Sequence, residues 1–153
     1  QVRRRYGIDV QAVQPAQTLD QQAAAHGPEL WTRNPDRCCE LRKVAPLADA
    51  LAPFDAWITG IRREDTASRV NARLIEWSSK YDVVKLNPLA RWSERDVWRY
   101  IHAHGVPYNP LLDQGYHSLG CRTCTRRSTS DDPRSGRWVG FDKVECGLHI
   151  EKG

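Results

Sequence analysis

Residues 81–105, Y-D-V-V-K-L-N-P-L-A-R-W-S-E-R-D-V-W-R-Y-I-H-A-H-G, indicate the fold class of this chain. The segment from Tyr81 to Leu86 is rich in apolar and β-branched residues, which predicts a strand. Ser93 and Asp96 follow with the spacing of a capping box, so a helix is expected to begin there and to end at Gly105. A strand followed by a helix is the repeating unit of α/β folds.

The same signals predict strands and helices in the rest of the chain. In order, we expect a strand at 8–13, a helix at 19–26 capped by Thr18, a helix that starts after Asn34 and breaks near Pro46, a buried strand at 54–59 and a helix at 70–80. This alternation favours an α/β domain with a parallel sheet. Because the chain opens within a predicted helix and contains no methionine, we expect it to lack the first strands of the fold.

The composition favours a globular protein, and nothing in it indicates a membrane-spanning or secreted one. With 153 residues, of which 40% are hydrophobic and 27% charged, the chain suits one domain with its own core. It has no apolar run of bilayer length and no secretory signal, so we expect a cytoplasmic protein with reduced cysteines. The net charge of +4 suits an anionic small molecule as readily as nucleic acid.

Five cysteines form two pairs and a single residue. Cys38 and Cys39 are adjacent, Cys121 and Cys124 form a C-x-x-C motif, and Cys146 stands alone near the end of the chain. Four thiolates suit a metal ion or an iron–sulfur cluster, and the fifth suits a nucleophile. Adjacent cysteines fit one tetrahedral zinc ion poorly but can serve two corners of a [4Fe–4S] cube. The residues alone leave a cluster, zinc and a purely structural role open.

Two basic segments are candidates for binding an anion. Gly60 and Arg62 follow a predicted strand at its carboxyl end, where parallel sheets bind ligands, and a glycine lets a ligand approach the backbone. Arg134 and Arg137 lie beside Trp138, and forked guanidinium groups suit phosphate or sulfate oxygens. For each arginine the alternative is an ordinary solvated surface charge.

Together these segments closely resemble the carboxyl-terminal part of assimilatory adenylylsulfate (APS) reductases, the iron–sulfur branch of the phosphoadenylylsulfate (PAPS) reductase family. The resemblance covers nearly the whole chain and rests on motifs that occur in the same order. They are Cys38-Cys39, Lys43, Thr59-Gly60-Ile61-Arg62-Arg63 with Arg69, Cys121-x-x-Cys124, Arg134-x-Gly136-Arg137-Trp138 and Glu145-Cys146-Gly147-Leu148-His149. Val144, Asp65 and Thr66 depart from the residues that are common in that family.

The resemblance implies an α/β fold of the adenine nucleotide alpha-hydrolase-like (PP-loop or HUP) type. Residues 1–142 would form this domain without its first strands and phosphate loop, and residues 143–153 would form a mobile tail. We expect exposed sheet edges that leave the chain poorly stable by itself. The implied site residues are Cys146 as the catalytic thiol, Cys38, Cys39, Cys121 and Cys124 as ligands of a [4Fe–4S] cluster, and Lys43, Gly60, Arg62, Arg134 and Arg137 as substrate-binding residues.

The implied reaction reduces adenylylsulfate to sulfite and AMP. The Cys146 thiolate would attack the sulfate sulfur and become an S-sulfocysteine, from which thioredoxin or a similar dithiol would release sulfite. Neither a membrane nor a nucleic acid is expected as a partner. One alternative is a PAPS reductase, although such members typically lack both cysteine pairs. The other is a zinc-binding module that uses its basic loops on nucleic acid.

Overall fold

A computed structural model describes residues 1–150 of the chain. These residues form two compact units. The first comprises residues 1–13, 47–108 and 150, and the second comprises residues 14–46 and 109–149. The α-helices are α1 (Val2–Tyr6), α2 (Leu19–His26), α3 (Leu30–Arg33), α4 (Pro35–Cys39), α5 (Ala45–Leu51) and α6 (Glu94–His104).

The first unit contains a three-stranded sheet. Its strands are β1 (Ala56–Ile58), β2 (Ile75–Ser78) and β3 (Val83–Leu86), in the spatial order β1-β3-β2. β1 is parallel to β3, whereas β2 is antiparallel to it. The α/β class is therefore confirmed, but the sheet is mixed and the prediction of an entirely parallel sheet is wrong.

The helix predicted over residues 70–80 is wrong, because part of that segment is strand β2. Val70, Leu74 and Trp77 have helical spacing, which predicts a helix. Strand β2 instead directs apolar side chains to solvent and polar side chains inward, the reverse of the usual alternation. Ile75 and Trp77 are exposed, whereas Ser78 is fully buried. The inward face of β2 is thus polar, so an apolar pattern could not reveal it.

Apolar and polar layers both hold the sheet. Leu51, Tyr81 and Val83 form the buried apolar cluster, and the ring of Trp57 meets Tyr81 edge-on with 5.5 Å between centroids. Such aromatic pairs add stability beyond the area they bury. The predicted strand at 54–59 is confirmed only for its central residues, and Ile58 is exposed rather than buried.

A polar network closes the carboxyl ends of β1 and β3. The Asn87 amide accepts a hydrogen bond from the Thr59 hydroxyl at 2.5 Å and donates to the carbonyl of Arg73 at 2.8 Å and to Glu76 Oε1 at 2.9 Å. Lys85 is 2% exposed, and its Nζ lies 3.1 Å from Glu76 Oε1. Buried polar groups persist only when such partners are present.

The predicted helix ends agree with the structure more closely than the predicted strands do. Ser93 and Asp96 make the predicted capping box at α6, and Gly105 ends that helix in the left-handed conformation. Residues 8–13, in contrast, form no strand in the described part of the chain, and all six are exposed. Their β-branched residues find no neighbouring strand, and β propensity without pairing does not make a sheet.

The second unit is built from short helices and loops. Thr18 caps α2 through a capping box with Gln21, and the Asn34 side chain caps α4, as predicted. The predicted break near Pro46 is wrong. A π-helix over Glu40–Val44 follows α4 directly, and Pro46 then stands in the first turn of α5, where a missing N–H group is tolerated.

None of the helices within residues 1–150 combines the length and the apolar composition needed to cross a bilayer.

Candidate functional site

All four paired cysteines line one cavity in the second unit. The cavity has a volume of about 180 Å³ and is also bordered by Lys43. Cys38 and Cys39 come from the last turn of α4, whereas Cys121 and Cys124 bound a 3₁₀ turn over Arg122–Cys124. The two pairs are more than eighty positions apart in sequence, so the fold brings together what the sequence only suggested.

The first pair is buried and the second is partly exposed. Burial raises the pKa of the Cys38 thiol; a hydrogen bond from Gln22 opposes this, and the nearby thiols of Cys124 and Cys121 reinforce it. Burial also raises the pKa of Cys39, to about 11, although the positive charges of Lys143 and Lys43 lower it. These thiols remain protonated at neutral pH unless a cationic group binds them, which is the usual coupling between metal binding and thiol deprotonation.

Hydrogen bonds fix the turn that carries the second pair. The N–H of Cys124 donates to the carbonyl of Cys121 at 2.9 Å, and the Thr125 hydroxyl donates to the same carbonyl at 2.9 Å. The Gly120 N–H in turn donates to that hydroxyl at 3.2 Å. A backbone bridge between Thr125 and Arg137 joins the turn to the following basic segment.

Arg137 anchors this basic segment to the cysteine turn. It is 8% exposed, and its guanidinium donates to the carbonyls of Cys124 at 3.1 Å and of Leu119 at 2.9 Å. Burial lowers its pKa, and Arg134 acts in the same direction, whereas the thiols of Cys146, Cys124 and Cys121 oppose the shift. The residue is therefore held inside the unit as a cation near three thiols.

Two glycines make this arrangement possible. A Cβ on Gly120 would lie 2.6 Å from Cζ of Arg137, and a Cβ on Gly136 would collide with the backbone carbonyl of Arg126. Trp138 then adopts a positive φ of 42° and stacks under Arg137, with 4.3 Å from the guanidinium carbon to the ring centroid. The R-x-G-R-W motif thus has a packing reason for each of its last three residues.

The segment that carries Cys146 is tied to the same unit. Arg134 donates to the carbonyl of Val144 through Nε at 3.1 Å and Nη2 at 2.6 Å, and Glu145 is 4% exposed. Lys143 contacts Asp36. Cys146 is partly exposed and is not among the residues that line the cysteine cavity. The fifth thiol therefore lies outside the cavity lining, although it is near enough to Cys39 for its charge to raise the pKa of that thiol.

Gly60 and Arg62 lie in the first unit, in the loop that follows β1. A Cβ on Gly60 would meet no atom within 4 Å, so the packing of this unit does not require a glycine there. The Arg62 guanidinium is paired with Glu64 at 2.5 Å and with Asp65 at 2.7 Å. Neither acid was predicted as a partner of Arg62, although Asp65 stands three residues after it, a spacing at which opposite charges meet.

Two further residues around the cavity, Gln22 and Arg42, were not identified from the sequence. Gln22 is 2% exposed, and its amide nitrogen lies 3.8 Å from Cys38 Sγ. Arg42 borders the cavity four positions after Cys38, a spacing that could have indicated it. Trp138 also lines the cavity, and its buried Nε1 meets no hydrogen-bond acceptor among residues 1–150. Nothing in the sequence separates Gln22 from its neighbour Gln21.

Within the described residues, no three His, Cys, Asp or Glu side chains are grouped to hold one metal ion. A tetrahedral zinc site needs its sulfurs about 2.3 Å from one point, whereas a cluster takes one thiolate at each of several iron atoms.

Comparison with known proteins gives a consistent set of relatives. Residues 1–127 match the model of the phosphoadenosine phosphosulfate reductase domain. The chain is 49% identical over 147 residues to the adenosine 5'-phosphosulfate reductase of Salinibacter ruber, an alignment that covers 95% of this chain and 58% of the relative. It is 47% identical over 150 residues to adenosine 5'-phosphosulfate reductase 1 of Bacillus subtilis, covering 97% and 64% respectively.

A solved structure is similar as well. The crystal structure of phosphoadenylyl-sulfate (PAPS) reductase from Candida auris, a phosphate complex, matches with a TM-score of 0.68 at 32% identity. The match covers 82% of this chain and 61% of that one. The chain thus spans about 60% of the length of the relatives named here.

Proposed function

The chain belongs to the phosphoadenosine phosphosulfate reductase family, and from that premise we propose that it serves the reduction of adenylylsulfate to sulfite and AMP in sulfate assimilation. The observation that carries the proposal is the convergence of four cysteines on one cavity, whose lining leaves out the fifth, Cys146. Relatives that are 46–50% identical bear the name adenosine 5'-phosphosulfate reductase, which supports APS over PAPS. The cytoplasm, where thiols stay reduced, is the proposed compartment.

Cys38, Cys39, Cys121 and Cys124 would hold a [4Fe–4S] cluster. Their donor set is all thiol, and all four line one cavity of about 180 Å³. The buried Trp138 Nε1 also faces no acceptor in residues 1–150, and a buried donor normally has a partner. When bound, the cluster would supply rigid cross-links between α4 and the C-x-x-C turn and a local electrostatic field.

Cys146 would act as the nucleophile. Its thiolate attacks the sulfur of the sulfate group, the bond from that sulfur to the bridging oxygen breaks, and AMP leaves with the electron pair. Cys146 then carries the sulfonate as an S-sulfocysteine. A dithiol attacks Cys146 Sγ, sulfite departs with the bonding electrons, and closure of the dithiol to a disulfide restores the thiol. The net reaction converts APS and a dithiol into AMP, sulfite and a disulfide.

The basic residues would offset the repulsion between a thiolate and an anionic substrate. In the second unit this role falls to Lys43, which borders the cysteine cavity, and to Arg134 and Arg137. Arg134 is engaged with the Val144 carbonyl and lies 3.9 Å from Glu145. A substrate sulfate would therefore compete with the cysteine tail for Arg134, which would free the tail to move.

In the first unit, Gly60 and Arg62 would approach the nucleotide. Arg62 can bind a phosphate only if the anion displaces Glu64 or Asp65, which neutralise its guanidinium in this structure. The open space at Gly60 fits the close approach of a ligand to the backbone. Thioredoxin or a similar small dithiol protein is the proposed reductant, because the mechanism requires two thiols that can form a disulfide.

The test is sulfite release from APS and from PAPS by the complete protein with a dithiol reductant. We expect APS to be the better substrate, Cys146→Ser to abolish turnover, and the brown chromophore to persist in that variant. Val144→Thr, a change at an exposed side chain two positions away, is the matched control and should remain active. Equal or faster sulfite release from PAPS would contradict the assignment of APS as the substrate.

A further inference from the structure

Gln22 is one of the most deeply buried side chains in the second unit. It lies in α2, is 2% exposed, and its Nε2 donates to Cys38 Sγ at 3.8 Å. Burying an amide is unfavourable unless its polar atoms have partners. The partner of this N–H is one of the four thiols that line the cysteine cavity, so the contact joins α2 to the candidate ligand set.

The other end of the amide is held as firmly. Gln22 Oε1 accepts a hydrogen bond from Arg42 Nη1 at 3.4 Å, and the same nitrogen donates to the carbonyl of Gln17 at 3.3 Å. Because a guanidinium has no acceptor, it fixes the oxygen of Gln22 toward itself and the N–H₂ group toward Cys38. The amide orientation is therefore determined by chemistry, and the donor is aimed at sulfur.

We propose that Gln22, oriented by Arg42, is a positioning residue that donates an N–H···S hydrogen bond to the cluster ligand Cys38 and thereby stabilises the cluster and sets its reduction potential. The inference rests on the proposed [4Fe–4S] site. A thiolate accepts a hydrogen bond more strongly than a thiol does, so the contact gains strength when Cys38 is a ligand. Hydrogen bonds to ligand sulfurs stabilise the added negative charge of a reduced cluster and so raise its potential.

Two variants remove the donor in different ways. Gln22→Met keeps the length and flexibility of the side chain but has no N–H group. Gln22→Glu keeps the acceptor for Arg42 and also loses the donor. Gln21→Met is the matched control, because Gln21 is the neighbouring residue of the same type and bonds to Thr18 at the start of α2 instead of to a cysteine.

The complete protein and each variant would be purified without oxygen. Three properties would be measured: iron content, the rate of iron release to a chelator, and the midpoint potential of the cluster with its iron–sulfur stretching frequencies. Outer hydrogen-bond partners of metal ligands typically change metal affinity at least tenfold. We therefore expect iron release about tenfold faster in both Gln22 variants, with a lower midpoint potential, and neither change in Gln21→Met.

The outcomes separate this inference from the proposal beneath it. Unaltered protein without iron would overturn both. Iron-loaded Gln22→Met and Gln22→Glu proteins with the potential, stretching frequencies and release rate of the unaltered protein would overturn the role of Gln22 alone. A folded Gln22 variant that fails to retain iron, beside a Gln21→Met protein that does retain it, would support the role.

Discussion

Gly120→Ala should destabilise the cysteine turn by displacing Arg137. The φ of Gly120 lies outside the left-handed region, so alanine brings no backbone strain of that kind. Its methyl group would, however, lie 2.6 Å from Cζ and 2.8 Å from Nη1 of Arg137. The guanidinium must move, and it then loses its bonds to the carbonyls of Leu119 and Cys124.

The expected cost follows from those two bonds. A hydrogen bond from a charged donor contributes about 1.5–3 kcal/mol, and replacing glycine by alanine returns about 0.4–1 kcal/mol by restricting the unfolded chain. Loss of one bond and weakening of the other give a net destabilisation of about 2 kcal/mol. For a chain of this size that lowers Tm by about 4–8 °C.

The assay is thermal unfolding followed by near-ultraviolet circular dichroism, which reports on Trp138 beneath Arg137. Gly60→Ala is the control, since its methyl group meets no atom within 4 Å and should leave Tm unchanged or slightly higher. In an Arg137→Ala background, Gly120→Ala should cost almost nothing. If it costs as much there as in the unaltered protein, displacement of Arg137 is not the cause and the reasoning fails.

Three further outcomes are expected. Gly60→Ala should weaken APS binding in a calorimetric titration while leaving Tm intact, and unchanged affinity would remove Gly60 from the nucleotide site. Asn87→Leu should lower the free energy of unfolding by about 3 kcal/mol, because it leaves several buried polar groups unpaired; a loss under 1 kcal/mol in denaturant titration would contradict this. Burial raises the pKa of Glu76, but hydrogen bonds from the Arg73 N–H, Lys85 and Asn87 outweigh it and lower the pKa below its usual 4.5. This carboxylate therefore stabilises the fold at higher pH and ceases to do so as pH falls through its folded-state pKa. In Glu76→Gln, the free energy of unfolding should fall less steeply as the pH is lowered through the acid range. An unchanged acid dependence would refute that.

The helix ends were predictable because they depend on residues that are close in sequence. Thr18, Asn34 and Ser93 each cap the helix that follows them, and a capping hydroxyl or amide needs only the N–H groups of the next turn. The strand β2 was not predictable in the same way. Its inward residues, Glu76 and Ser78, are polar and find partners that lie elsewhere in the sequence.

The candidate site likewise combines features that are predictable from local sequence with contacts that are not. Adjacent cysteines and a C-x-x-C motif have a chemistry that can be inferred from spacing, and the structure places all four around one cavity. The surroundings depend on contacts between distant segments. The hydrogen bond from Gln22 to Cys38 joins residues sixteen positions apart, and the packing of Arg137 against Gly120 joins residues seventeen positions apart. No local pattern encodes such contacts, so only the folded chain reveals them.

The prediction of a helix break near Pro46 was wrong for a different reason. A proline inside a helix removes a hydrogen bond and clashes with the preceding turn. The chain avoids both effects by widening the preceding turn into the π-helix Glu40–Val44, whose last bond runs from the Ala45 N–H to the Glu40 carbonyl. The widened turn carries Lys43 to the cavity border, and π-turns of this kind are common at functional sites.

Iron and acid-labile sulfide analysis of the complete protein, purified without oxygen, tests the central claim most directly. Four thiols around one cavity predict about four iron and four sulfide per chain and a brown protein. Replacing Cys38 or Cys124 by serine should lower both contents together, whereas Cys146→Ser should leave them unchanged. A colourless protein that carries zinc and no sulfide would contradict the account.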